Sequence, residues 1–427
     1  MKNRKNLKDL QSVYSQKNSD SLISEHDFDF AAGFPPFLRG ANVTPTQTKS
    51  IQRFTLKFIE VEAQQLELTL NITTKKRIQI RSVSEFIETI EKLPSSSVIQ
   101  LKYSKYSVLL LAICGVVSEN LKRRKISIEL HFNSLQYYLE EKKQASTIQK
   151  KLAILENSDF YKTSVAIVFS EKGMKKHQLS VEDCLVVNLY SASKCIQQNR
   201  NLIPKLELES TSNYFLEIAK VRAARALWSK LLLKLNLPLS ATALHILSTE
   251  TNITNGKNIT KKITQSVLNA SASFVNETQA LELTKNTKIT AENIFKYLEE
   301  ETLINKTTDP WAGSFYVEQL TQKIIEKAWN TISEIENGII PDSLKELNHV
   351  ESLKNQLVTE EDFDYSIIKF DTEKTGNAPN NSNKDKLQKS NLNFANSNSI
   401  LDSAIKAIST GSSINDIKNS LEKIILN

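Results

Sequence analysis

The chain has 427 residues, with 55 Lys and Arg against 48 Asp and Glu, a formal net charge of +7 and 40% hydrophobic residues. That size admits one large domain or two to three ordinary ones, and the composition is that of a globular protein. A mean hydropathy of -0.33 and the lack of any apolar run near 20 residues exclude a membrane-spanning helix, so no membrane partner is expected.

The basic excess does not read as a nucleic-acid footprint. Lys and Glu are interspersed, Leu121 to Lys125 (LKRRK) is the one dense basic run, and no aromatic-studded basic strand or helix-turn-helix pattern accompanies it. A Lys-rich solvated surface with no nucleic-acid partner is the expectation. The opening MKNRKNLKDLQSVYSQKNSD has no apolar stretch behind its basic residues, so no secretory signal is read and a cytoplasmic address is expected. Cys114, Cys184 and Cys195 fit no metal or disulfide spacing and are expected as buried thiols.

Along the chain, short β-like runs alternate with longer helical patterns. The strand candidates are KRIQI (76–80), VIQLKY (98–103), ISIEL (126–130), VAIVFS (165–170), KLELES (205–210) and TALHIL (242–247). Between them lie the helical runs SVSEFIETIEKL, YSVLLLAICGVVSENLKRR, FNSLQYYLEEKK and VEDCLVVNLYSASKCIQQN. Such alternation predicts an α/β protein with a parallel sheet, and so many units favour a closed (β/α)8 TIM barrel over an open sheet.

The strands carry polar residues at alternate positions: Gln100 and Lys102, Ser127 and Glu129, Glu207 and Glu209. A parallel strand covered on both faces should be continuously apolar. Two accounts stand side by side. Either these strands are edge-exposed, or the polar set faces a barrel axis. In the second case members of Lys102, Glu129, Glu207 and Glu209 should pair inside, because a buried unpaired charge costs several kcal/mol.

Asp309-Pro310 reads as a turn, Gly313 can supply a positive φ, and Trp311 has a large surface to bury. Val317, Leu320, Ile324, Ala328 and Ile332 then recur at helical spacing up to the Glu336-Asn337-Gly338 stop. Residues 372–397 are polar and Asn-rich and cannot bury a core. After them, Ile400, Leu401, Ala404, Ile405 and Ile408 form one apolar stripe, and Ile414, Ile417, Leu421 and Ile424 form another. With no core of their own in view, these last helices are expected to dock on a partner.

Two long motifs in order, TSNYFLEIAKVRAARALW (Thr211 to Trp228) and DPWAGSFYVEQLTQKIIEKAW (Asp309 to Trp329), resemble the barrel domain of the methylmalonyl-CoA mutase family. Ala32 to Gly40 (AGFPPFLRG) looks like that family's opening motif, and Asn276 to Leu281 (NETQAL) like its Gly-Gly-Thr-Gln-Ser-Leu. The resemblance runs from about residue 30 to 340 and is thinnest from 48 to 95. It implies an N-terminal extension (1–30), a mutase-like TIM barrel (31–340), an irregular, partly disordered linker (341–398) and a C-terminal helical tail (399–427). It also implies acyl-CoA along the barrel axis and adenosylcobalamin over its mouth.

The departures from the family pattern decide what this chain is expected to do. Ala41 to Arg53 reads ANVTPTQTKSIQR, without the family's Tyr or its Pro-Trp-Thr-Ile-Arg-Gln signature. The family's Tyr-His pair becomes Phe169-Ser170, and its Gln-Asn-Asp run becomes His131-Phe132-Asn133. Arg39, Phe169, Ser170 and Gln279 are the possible residual pocket positions; no catalytic, cofactor-binding or metal-binding residue is assigned. The ligating Asp-x-His-x-x-Gly is absent, and the five histidines (His26, His131, His177, His245, His349) lack ligand spacing and are expected to be structural or solvated.

The chain is expected to stop where the family's cobalamin domain would begin. The reading is therefore a non-catalytic small subunit that binds no cofactor itself. It would pair as a heterodimer with a catalytic methylmalonyl-CoA mutase subunit carrying adenosylcobalamin. The other readings are a barrel subunit that borrows cobalamin from a separate chain, and a stand-alone acyl-CoA-binding protein.

Overall fold

The computed structural model describes residues 53–142, 155–282, 294–344 and 399–426, with short gaps between elements. The extension at 1–30, the motif at 32–40 with Arg39, and the linker at 372–397 lie outside the described residues.

The elements, in chain order, are β1 (Arg53–Val61), β2 (Gln65–Asn71), β3 (Arg77–Ile80), α1 (Val83–Lys92), β4 (Val98–Lys102), α2 (Ser107–Val116) and α3 (Ser118–Arg123). They continue with β5 (Ser127–Asn133), α4 (Ser134–Lys142), α5 (Asp159–Ser164), β6 (Val165–Ser170), α6 (Val181–Gln198), β7 (Pro204–Glu209) and α7 (Tyr214–Lys234). The last are β8 (His245–Thr249), α8 (Ile259–Val275), β9 (Ala280–Glu282), α9 (Phe315–Glu336), α10 (Ile400–Ser409) and α11 (Ile414–Leu426).

One sheet runs β3-β2-β1-β4-β5-β6-β7-β8-β9. Strands β4 to β9 are six consecutive parallel strands, curled as a half-barrel. β1 joins them parallel to β4, whereas β2 and β3 fold back antiparallel. The expected KRIQI strand thus exists, but as the outer strand of an antiparallel ribbon and not as a parallel barrel strand. Its hydrogen bonds go to β2, a strand that the alternation reading did not include.

The six strands have two unlike faces. Ile99, Leu101, Ile128, Leu130, Phe132, Val165, Ile167, Phe169, Leu206, Leu208 and Ile246 lie in one apolar cluster with the helices. At about 25 cal/mol per Å² of apolar area removed from water, this cluster is the main driving force for the fold. Residues of the opposite parity point to the inner face. Edge exposure does not explain their polarity, because Glu129 and Glu207 sit on central strands and are only 2% and 3% exposed.

Helix α2 is buried from Ser107 to Gly115. Helix α10 covers it, with Leu401, Ala404, Ala407 and Ile408 buried, and α11 adds Ile417 and Leu421 to the same cluster. A Cβ added at Gly115 would meet Ile405 Cδ1 at 2.3 Å, so glycine is what allows the two helices so close. Ser158 Oγ donates to Asp402 Oδ1 at 2.6 Å and fixes the start of α10. The expectation that these helices need a partner surface is corrected: Leu401, Ala404, Ala407, Ile408, Ile417 and Leu421 are already buried in this chain's own core.

Candidate functional site

The inner face of β5 and β7 is built by strand parity. On β5, Ile128, Leu130 and Phe132 belong to the core, which turns Glu129 and His131 inward. On β7, Leu206 and Leu208 do the same and turn Lys205, Glu207 and Glu209 inward. β6 lies between them and offers Ala166 and Val168 opposite Glu129 and His131 in register. Over these modest side chains, the polar groups of β5 and β7 reach each other.

Lys205 Nζ donates to Glu129 Oε1 at 3.0 Å. His131 Nε2 is 3.1 Å from the other oxygen of Glu129, and His131 Nδ1 is 3.3 Å from Glu207 Oε2. Burial pulls the His131 imidazole towards neutrality, but its bonds to Glu129 and Glu207 outweigh that and hold its pKa above the ordinary value. Burial pushes Glu207 up; the His131 bond and charge, with Lys172 and Ser170, bring it down to about 2. His245 on β8 is moved the other way, by burial first and then by the Lys205 ammonium. The expected ion-paired interior is present through Glu129 and Glu207, with His131 and Lys205 as the cations.

A second buried cluster ties the ends of β6 and β7 to α7. The Lys220 ammonium bonds Glu171 and donates to the Glu209 carbonyl at 2.8 Å. Glu171 also accepts from the Glu209 backbone N–H, and Glu209 Oε1 accepts from Gly173 N at 3.2 Å. Glu217 Oε2 accepts from Thr211 N at 2.7 Å. Burial depresses the Lys220 ammonium, but the charges of Glu171 and Glu217 raise it overall.

Helix α7 is buried nearly all round. Arg225 is fully buried with Nη1 on the Asn276 carbonyl at 2.6 Å, and Arg222 bonds Glu318 of α9 at 2.7 Å. Neither arginine is available for outside contacts. Glu318 also accepts from Gly313 N at 3.1 Å, where φ is +78°. Trp311 stacks edge-on against Tyr214 and Phe215 at the start of α7. The two sequence motifs are therefore two halves of one α7–α9 junction, beside which Phe315 and Tyr316 are exposed.

Of the four positions singled out from the sequence, the three that are described do not converge. Phe169 is on the helix side, stacked on Phe132 and edge-on to Tyr137. Ser170 is on the inner face, opposite Glu207 in register, and its Oγ accepts from Lys172 N. Gln279 is spent on β8: its Oε1 accepts from Ile246 N at 2.7 Å, and its own N–H donates to the Ile246 carbonyl. Arg39 is outside the described residues. Sequence reasoning missed Lys205, Glu171 and Lys220, although the spacing of Lys205, Glu207 and Glu209 by two carried a signal for the first.

Among the described residues there is no group of three or more His, Cys, Asp or Glu placed to hold a metal ion, and no helix is long and apolar enough to cross a membrane. Adenosylcobalamin does not fit the histidines described. Both ring nitrogens of His131 are engaged by carboxylates, and His245 lies in the field of the Lys205 ammonium.

The parallel α/β half-barrel with its ion-paired inner face is consistent with a TIM-barrel-like domain. Residues 203–346, from β7 to just beyond α9, match the methylmalonyl-CoA mutase family model. It is 34% identical over 140 residues to the methylmalonyl-CoA mutase large subunit of Porphyromonas gingivalis (strain ATCC BAA-308 / W83), covering 29% of this chain and 19% of that protein. It is 31% identical over 137 residues to the large subunit of Propionibacterium freudenreichii subsp. shermanii, with the same coverage. Against the mitochondrial methylmalonyl-CoA mutase of Macaca fascicularis it is 33% identical over 140 residues, 29% of this chain and 18% of the other. The chain thus spans about a fifth of the length of the curated relatives it matches.

Proposed function

We propose that this chain is a non-catalytic small subunit of a methylmalonyl-CoA mutase, a (β/α)8 barrel without mutase activity of its own. In this reading it pairs with and stabilises a catalytic chain that carries adenosylcobalamin and interconverts methylmalonyl-CoA and succinyl-CoA. The observation that carries the reading is the inner face itself. Glu129, His131, Lys205 and Glu207 bond one another across β6, where an acyl-CoA tail would have to pass. Opening that face would leave buried charges without partners, at a cost of about 3–5 kcal/mol for each broken pair. The departure at Phe169 and the engagement of Gln279 support the same reading, since that ring is in the helix-side core and that amide is bound to β8.

The test is co-expression with a cobalamin-binding mutase chain from the same source, followed by co-purification and assay of mutase turnover. The expected outcome is a stable heterodimer whose activity resides in the partner and whose half-life falls when this chain is omitted. Turnover by this chain alone with added adenosylcobalamin, or failure to associate, would overturn the proposal.

A further inference from the structure

The geometry around His131 fixes its protonation. Carboxylate oxygens only accept hydrogen bonds, and a neutral imidazole has one N–H and one lone pair. Here Nε2 faces Glu129 at 3.1 Å and Nδ1 faces Glu207 at 3.3 Å, so both nitrogens must carry protons for both contacts to be favourable. Charge balance agrees. Glu129 and Glu207 supply two negative charges, Lys205 supplies one positive charge, and the imidazolium supplies the second. The His131 side chain is 10% exposed and the two carboxylates are 3% and 4% exposed, so water screens this arrangement little.

We propose that His131 is a base-sensitive latch: as an imidazolium it clamps β5 to β7 across β6, and loss of its proton releases the inner face of the sheet. This inference rests on the geometry alone and stands or falls apart from any role as a subunit. The groups that bear on the latch come from every neighbouring strand. Glu129 is on β5 itself, Lys205 and Glu207 are on β7, Ser170 ends β6 and Lys172 follows it. Lys102 of β4 lies opposite His131 in register, and His245 of β8 opposite Lys205.

The sign follows from the direction of each shift. The raised imidazole stabilises the fold fully below the ordinary histidine value of 6.5, and this contribution fades as pH rises through the higher folded value. Glu207, lowered from 4.5 to about 2, contributes above 4.5 and loses that contribution as pH falls towards 2. The latch is therefore tightest between about 4.5 and 6.5.

The experiment is an NMR titration of the His131 ring in the intact chain, with hydrogen exchange of β5–β7 amides corrected for the intrinsic pH dependence of exchange. Two variants accompany it, His131→Lys, which keeps a charge with no transition near neutrality, and His131→Gln. Expected are a His131 midpoint above that of a histidine in an unfolded peptide and a tenfold or greater rise in β5–β7 exchange through the same midpoint. His131→Lys should remove that midpoint while staying folded, and His131→Gln should exchange fast at every pH. A His131 midpoint at or below the peptide value, or exchange in β5–β7 that does not follow it in the unsubstituted chain, overturns the latch.

Discussion

The two faces of β5–β7 obey different rules. On the helix side, Ile128, Leu130, Phe132, Phe169, Leu206 and Leu208 are held by volume. A close-packed apolar layer tolerates exchange of one side chain for another of similar size. On the inner side and at the strand ends, Glu129, His131, Lys205, Glu207, Glu171 and Lys220 are held by charge, and size is secondary. What one face tolerates the other does not, although the same strands carry both.

The sharpest way to break that comparison is a pair of substitutions of similar volume. Lys220→Met leaves Glu171 buried and unpaired and should cost about 3–5 kcal/mol. Leu208→Met on the apolar face should cost less than about 1.5 kcal/mol. Denaturant midpoints of the two variants measure the difference directly. Adding Glu171→Leu to Lys220→Met should recover most of the loss, because replacing both ions by apolar groups is often neutral or stabilising. Equal costs for Lys220→Met and Leu208→Met would end the distinction.

A smaller effect probes the volume rule at its tightest point. Gly115→Val drives a side chain into Ile405 of α10 and should cost about 1–3 kcal/mol. Pairing it with Ile405→Ala should return part of that stability, which calorimetric melting of the single and double variants would show. The smallest effect is expected at the turn before α9, where Gly313 has a φ of +78°. Gly313→Ala should lower stability by about 1–2 kcal/mol, read from the same melting experiment.

Much of the sheet was legible because strand parity is written locally. The β4, β5, β6, β7 and β8 strands fall on expected runs, and the alternation of Glu207 and Glu209 correctly placed carboxylates inside. The same parity separates Phe169 from Ser170, since neighbours on a strand face opposite ways, so both could not have lined one pocket. The parallel direction of β4 to β8 was legible from the strand-helix alternation, but that of the 76–80 run was not. The 76–80 run has the right residues, but periodicity says nothing of whether the neighbour runs parallel or antiparallel. β1 and β2 also alternate, at Phe54, Leu56 and Phe58 and at Leu66, Leu68 and Leu70, in the stretch where the family resemblance is weakest.

Long-range partners were the least legible. The sequence does not show what the α7 arginines bind. Glu318 and the Asn276 carbonyl, which bind them, lie 96 and 51 residues away. His131 was one of five scattered histidines until the register of β5, β6 and β7 placed two carboxylates beside it.

The covering of α2 by α10 has a consequence in time. SVLLLAICGV emerges early from the ribosome, while the helix that covers it begins only at Ile400. At usual synthesis rates of about 5–20 residues per second, the interval is on the order of tens of seconds. During it a helix that is apolar from Val108 to Val116 waits without its cover. This chain should therefore depend on chaperones chiefly while it is being made, and nascent forms lacking α10 should be the species that aggregate.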